Sequence, residues 1–214
     1  FSQSKPIFDA MARIAAQKAT LTPTQQRILD HALRDKRLAG IDLPEAERTQ
    51  LNAINTEPAQ LSMAFSNHVL DATKAYTLTL ATPEEIAGLP EALLQATQEI
   101  GPDNTSRWKI TLASAVYVPF MMHSRNRAAR EALYRAYVTR ASAGELDNTP
   151  LINRILELRR QKAALLGFAT FADLSLSVKT AKNVAAVDDL LYQLATASHI
   201  PGQTEMHEIG RAHV

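Results

Sequence analysis

The stretch LTPTQQRILDHALRDKRLAG (residues 21–40) decides the fold class. Thr22 can cap a helix with its hydroxyl, Pro23 suits the first helical position, and Gln25 completes a capping box. Ile28, Leu29, Ala32 and Leu33 then recur at helical spacing and form one apolar stripe. Gly40 closes the run as a C-terminal stop. The stretch therefore reads as one complete helix with both ends marked.

The same signals recur along the chain. Thr82-Pro83-Glu84-Glu85 repeats the box with acids that suit the helix dipole. Leu43-Pro44-Glu45, Leu89-Pro90-Glu91 and Thr149-Pro150 are further Pro-led starts. Asn183 can cap a helix beginning near Val184, and Gly167 marks another stop. In 126–142, Ala129, Leu133, Ala136 and Tyr137 form a stripe; in 150–166, Leu151, Ile152, Ile155, Leu156 and Leu158 form a broader one that implies burial on more than one side. Segment 44–72 carries Pro58, which predicts a kink or break because proline removes a helical hydrogen bond.

Two stretches depart from helical spacing. Ala75-Tyr76-Thr77-Leu78-Thr79-Leu80 and Trp108-Lys109-Ile110-Thr111-Leu112 alternate and are rich in β-formers. They predict a small antiparallel, hairpin-like pair at about 75–81 and 107–113, and Gly101-Pro102-Asp103-Asn104 carries strong turn chemistry. The fold class is mainly α, a multi-helix assembly with this β pair.

Composition bounds the partners. The chain has 214 residues, 46% hydrophobic and 21% charged, with net charge +1 and no cysteine. That balance suits a soluble globular protein, excludes disulfides and cysteine-based zinc sites, and gives no support for nucleic acid as a partner. No apolar run reaches transmembrane length, so no membrane partner is expected. The N-terminus, Phe1-Ser2-Gln3-Ser4, lacks an initiator Met and a signal-peptide pattern, and reads as the start of a piece of something longer.

Candidate chemistry is sparse. The end of the chain, Met206-His207-Glu208-Ile209, looks like the opening of the zinc-protease signature H-E-x-x-H. In that signature two histidines one helical turn apart reach one metal, and the glutamate activates its water. Here Arg211 occupies the second histidine's place, His213 falls on roughly the opposite side of a helix, and Gly210 argues against a firm helix. A zinc site from His199, His207 and His213 is a weaker rival. His68 and His123 read as packed or surface residues rather than ligands. The run Arg125, Arg127, Arg130, Arg135 and Arg140 could form an anion patch, but a solvated helix face with partners such as Glu131 explains it better. Tyr117, Phe120, Tyr134 and Tyr137 read as core rather than a stacking platform.

Longer motifs carry a resemblance. LRDKRLAGIDLP (33–44), FSNHVLDAT (65–73), AREALYRAYVTRAS (129–142) and ILELRRQKAALLGFATFADLSLSVKTA (155–181) occur in one order, and the chain from about Thr22 to about Ala197 resembles the oligopeptidase A and thimet oligopeptidase family of zinc metallopeptidases. The resemblance implies a mainly helical protein with two lobes around a channel that admits short peptides, and zinc held by H-E-x-x-H and a further glutamate. In such proteins those residues lie downstream of anything matched here. The expectation is an interior slice, residues 1–208, truncated at both ends, with no catalytic, cofactor-binding or metal residue of its own. Its partners would be short peptide substrates and the missing catalytic lobe of the same polypeptide, and its compartment the cytoplasm. Exposed apolar faces and poor solubility should follow. Ala113 and Ala115 stand where the family tends to have Asp and Pro, and Thr180 where Met is common.

The tail departs most. Ile209-Gly210-Arg211-Ala212-His213-Val214 back-translates to one frame of a widely used short-read sequencing adapter, so residues 209–214 are expected to derive from adapter rather than gene. The alternative to a peptidase segment is a non-catalytic helical scaffold or adaptor.

Overall fold

The computed structural model describes residues 3–17 and 20–212, with residues 210–212 described by backbone only. The described residues form helices α1 (Lys5–Ala16), α2 (Pro23–Leu38), α3 (Glu45–Ala75), α4 (Glu91–Thr97), α5 (Ser114–His123), α6 (Arg127–Val138), α7 (Thr149–Leu165), α8 (Phe171–Leu176) and α9 (Val184–Ala212). Strands β1 (Thr77–Leu80), β2 (Gln98–Ile100) and β3 (Ser106–Thr111) form one antiparallel sheet in the order β1-β3-β2. The mainly α fold with its β pair is thus observed. The chain divides into two compact units, residues 1–56 with 157–214, and residues 57–156.

In the first unit the box at Thr22 forms as the sequence dictates. The Gln25 amide donates to the Thr22 hydroxyl at 3.3 Å and the Gln25 side chain accepts from the Thr22 amide at 2.9 Å. α1 and α2 close over a small core of Phe8, Leu33 and Ile41, with Met11, Ala12 and Ala15 against it. The Lys5 ammonium and the Arg37 guanidinium lie 5.0 and 5.6 Å from the Phe8 ring centroid, within cation–π range. Gly40 ends α2 at φ +86°, and a Cβ there would stand 2.7 Å from Leu51 Cδ2. Only glycine serves both needs. Ile28 is 62% exposed, against its assignment to the buried stripe. The covered face of α2 lies lower on the helix, at Leu33.

In the second unit β1 pairs with β3 (Thr77↔Thr111, Leu80↔Trp108), as the alternation predicts. β2 is an addition: it pairs with β3 from Gln98↔Trp108 to Ile100↔Ser106. The turn chemistry at 101–104 makes that hairpin. Asn104 takes φ +60°, the Gly101 amide donates to the Thr105 carbonyl at 2.8 Å, and Asp103 accepts from Thr105 Oγ1 and Arg107 Nη2 at 2.7 and 2.8 Å. These two donors hold the Asp103 carboxyl down at about 2, the hydroxyl of Thr105 having the larger effect. The core of the unit is Leu80, Leu89, Leu93, Ile110, Leu112, Phe120, Ala129 and Leu133. α6 enters it with its predicted stripe: Leu133 is fully buried, Ala129 buried, and Ala136 and Tyr137 half-buried.

Four expectations are corrected. Thr82–Glu85 forms its cap hydrogen bonds, with the Ala81 and Thr82 amides on Glu85 Oε2 at 2.8 and 3.1 Å, but no helix follows. Residues 83–88 stay as turns, because Gly88 at φ +88° and the Leu89-Pro90 pair end the segment before a second helical turn can close. α3 runs unbroken through Pro58; one lost hydrogen bond does not stop a 31-residue helix anchored by the buried Leu51 and Ile54. Ile152 and Leu156 are 43% and 54% exposed, so the broad stripe of α7 is covered on one side, at Leu158 and Ala163. Gly210 lies inside α9, whose helix continues to Ala212, because one interior glycine costs only about 1 kcal/mol.

Candidate functional site

Three places bear on function, and each is built by different local rules. The first is the C-terminal part of α9. Asn183 caps this helix, its Oδ1 accepting from the Ala186 amide at 2.8 Å. His199, Met206 and His207 line a shallow surface hollow with Ser198, Gly202 and Gln203. His199 and His207 are eight residues apart, about 12 Å along a helix axis, too far to share one ion with nitrogen bonds of about 2 Å. Among the described residues no group of three His, Asp or Glu could hold a metal. His213, the third member of the weaker zinc reading, lies outside the described residues. The donor set present does not fit zinc.

The second place is a concavity of about 650 Å³ in the second unit, walled by Ala72, Tyr76, Leu112, Arg140 and Glu145. Arg140 Nε donates to the Tyr137 carbonyl at 2.9 Å, Nη1 donates to Thr73 Oγ1 at 3.2 Å, and the guanidinium lies 3.7 Å from the Tyr137 ring centroid. Tyr137 in turn stacks on Tyr117 at 4.1 Å and 18°. Burial pushes the Tyr117 hydroxyl up, with the neighbouring tyrosines adding to the shift. Arg140 is thus a brace between α3 and α6. Small walls and one cation can accept an apolar side chain.

The third is the pair His68 and Asn148. Asn148 is 3% exposed, and its Nδ2 donates to the Phe65 carbonyl at 3.1 Å. That leaves Oδ1 to accept from His68 Nδ1 at 2.9 Å, which fixes the histidine tautomer and ties 141–148 to α3. His68 is a packed residue, as its sequence context suggests.

The arginine run resolves in the same direction. Arg135 pairs with Glu131 at 2.8 Å one turn away, and Arg130 Nη1 donates to the Ser124 carbonyl at the start of α6. Phe120 is fully buried and Tyr117 and Tyr137 pack against the core, whereas Tyr134 is 52% exposed and leaves the predicted core set. Its place on α6 turns it away from the side that Leu133 buries. Arg154 makes the most closely paired ion contact, Nε and Nη2 donating to the Glu57 carboxylate at 2.5 and 2.7 Å and joining α7 to α3. Sequence spacing could not find it, since 97 residues separate the partners.

Similarity to known proteins supplies the class. Residues 120–213 match the family model for peptidase family M3. Over 97% of its length it is 38% identical to the probable cytosolic oligopeptidase A of Arabidopsis thaliana and 39% identical to that plant's organellar (chloroplastic/mitochondrial) oligopeptidase A, and 37% identical to oligopeptidase A of Haemophilus influenzae. The similarity therefore runs to the oligopeptidase A and thimet oligopeptidase family. The chain spans 31%, 27% and 32% of those three proteins, about a third of the length of the curated relatives it matches. No helix among the described residues is long and apolar enough to cross a membrane.

Proposed function

We propose that the protein to which this chain belongs is a zinc-dependent oligopeptidase that hydrolyses internal bonds of short peptides. This chain contributes helical scaffold to it and no catalytic or metal-binding residue. The carrying observation is identity of 37–39% to oligopeptidase A proteins along 97% of the chain. The compartment is the cytoplasm, in line with the cytosolic Arabidopsis relative. Residues 209–214 derive from sequencing adapter.

The test starts from source DNA, read through codons 200–214 and beyond. Native codons continuing across 209–214 overturn the adapter reading. A reading frame that goes on to H-E-x-x-H is expected. Its full-length product should cleave a quenched peptide blocked at both ends, lose activity to a chelator and regain it with zinc, while the 214-residue chain should not cleave. An intact gene without that motif would instead leave a helical scaffold. Zinc-dependent cleavage by the 214-residue chain alone would overturn the assignment of the chemistry to another part of the protein.

A further inference from the structure

α9 is the longest helix of its unit, and none of its described side chains is buried. Yet its first half is patterned for a core. Val184, Val187, Leu190, Leu191 and Leu194 follow the i, i+3, i+4, i+7 spacing of one helix face, while Asp189, Gln193 and Thr196 fall on the other side. Leu190, Leu191 and Leu194 are 55%, 58% and 56% exposed. A helix that shows three leucines to water gains little from tertiary packing, and packing is the main source of helix stability in proteins. Such a face implies something that covers it.

The pattern also says what kind of cover. Val184, Val187, Leu191 and Leu194 occupy successive a and d positions of two heptads. The next two are Ser198 and Pro201, which end the seam. A self-paired coiled coil needs three to four sustained heptads. Leu190 and Ala197 widen the stripe beyond a and d, which is the signature of a helix facing a globular layer rather than one identical helix. The matched relatives supply the candidate layer: about two thirds of their length has no counterpart in this chain, and the family match extends across α9 to residue 213.

We propose that the stripe Val184–Leu194 of α9 is the docking face for a part of the full-length protein that has no counterpart in this chain, so that α9 is completed only by that segment. The proposal rests on the peptidase reading for the existence of the segment, not for its chemistry. Hydrogen exchange on the full-length protein and on the 214-residue chain tests it. Amides of 184–197 should exchange at least about tenfold more slowly in the full-length protein, as expected when a locally open helix joins a larger cooperative unit. Leu190→Asp with Leu194→Asp should lower the Tm of the full-length protein, while Gln193→Asp on the opposite face should not. Equal exchange in both proteins would overturn the proposal even if the full-length protein is an active peptidase. Protection of α9 in a concentration-dependent dimer of the 214-residue chain would also overturn it, by assigning the face to a second copy. A full-length protein that protects α9 but cleaves nothing would support the docking face and sink the peptidase reading instead.

Discussion

Helices α6 and α9 are built from the same instructions and meet different fates. Each starts at an asparagine whose Oδ1 accepts an amide three residues on, Asn126 from Ala129 at 3.0 Å and Asn183 from Ala186 at 2.8 Å. Each then carries an apolar stripe at helical spacing. In α6 the stripe sinks into the sheet core and Leu133 loses all contact with water; in α9 Leu191 keeps 58% of its exposure. Local sequence therefore makes a helix in both places, but only a partner layer turns a stripe into a core. Capping and periodicity belong to the helix itself, whereas burial depends on what surrounds it.

The sharpest way to break this comparison is a matched truncation. Leu133→Ala should cost about 2–5 kcal/mol, the usual range for a fully buried leucine, and Leu191→Ala in the 214-residue chain less than about 0.5 kcal/mol. Urea denaturation of the two variants measures both. Comparable losses would mean that α9 is already packed. In the full-length protein the gap should narrow as α9 gains its cover. A smaller effect separates the caps. Asn126→Ala should lower global stability by about 1 kcal/mol. Asn183→Ala should instead reduce helicity locally, seen as faster amide exchange at 184–190 with an unchanged unfolding midpoint.

The smallest expected effect concerns the β2–β3 turn beside α6's core. The Asp103 carboxyl is held at about 2, below its ordinary 3.8, by Thr105 and Arg107. A depressed carboxyl contributes stability that is fully present above its unfolded value and is lost as pH falls through the folded one. The turn should therefore stay intact at pH 5 and loosen between about pH 4 and 2, which a carbon-13 titration of the Asp103 carboxyl follows. Asp103→Asn should flatten that pH dependence. Because the group is exposed, the loss should be minor beside that of Leu133→Ala.

Much of the fold was legible because its signals are local. The box at Thr22, the cap at Asn183, the glycine stops at 40 and 167 and the alternation of 75–80 and 108–112 each act over a few residues and appear where they were expected. What escaped depends on neighbours. β2 is only Gln98-Glu99-Ile100, three residues with no alternation to read, and it is a strand because β3 offers a free edge beside it. The Thr82 box formed and still made no helix, since Gly88 and Pro90 left it no room. Ile28 carries the periodicity of a core without its cover, and Tyr134 lies off the stripe that Leu133 buries. The candidate site was less legible still. No catalytic, cofactor or metal residue was expected in the chain, and the half-motif His207-Glu208 is already broken in the sequence by Arg211. The long-range side-chain contacts, Glu57 with Arg154 and His68 with Asn148, join residues 97 and 80 positions apart. Reading them from one sequence would require the fold first.

The division of the chain has a consequence in time. Residues 57–156 form one unit from a single continuous stretch, but residues 1–56 share theirs with 157–214. A ribosome adding about 5–20 residues per second needs roughly 5–20 s to make the intervening hundred residues. The part synthesised second can therefore finish folding before the part synthesised first has its complement. During that interval α1 and α2 have only their own small core around Phe8 to hold them. Within this stretch α1 and α2 are made before the segment that completes their unit, and they are among its last helices to be completed.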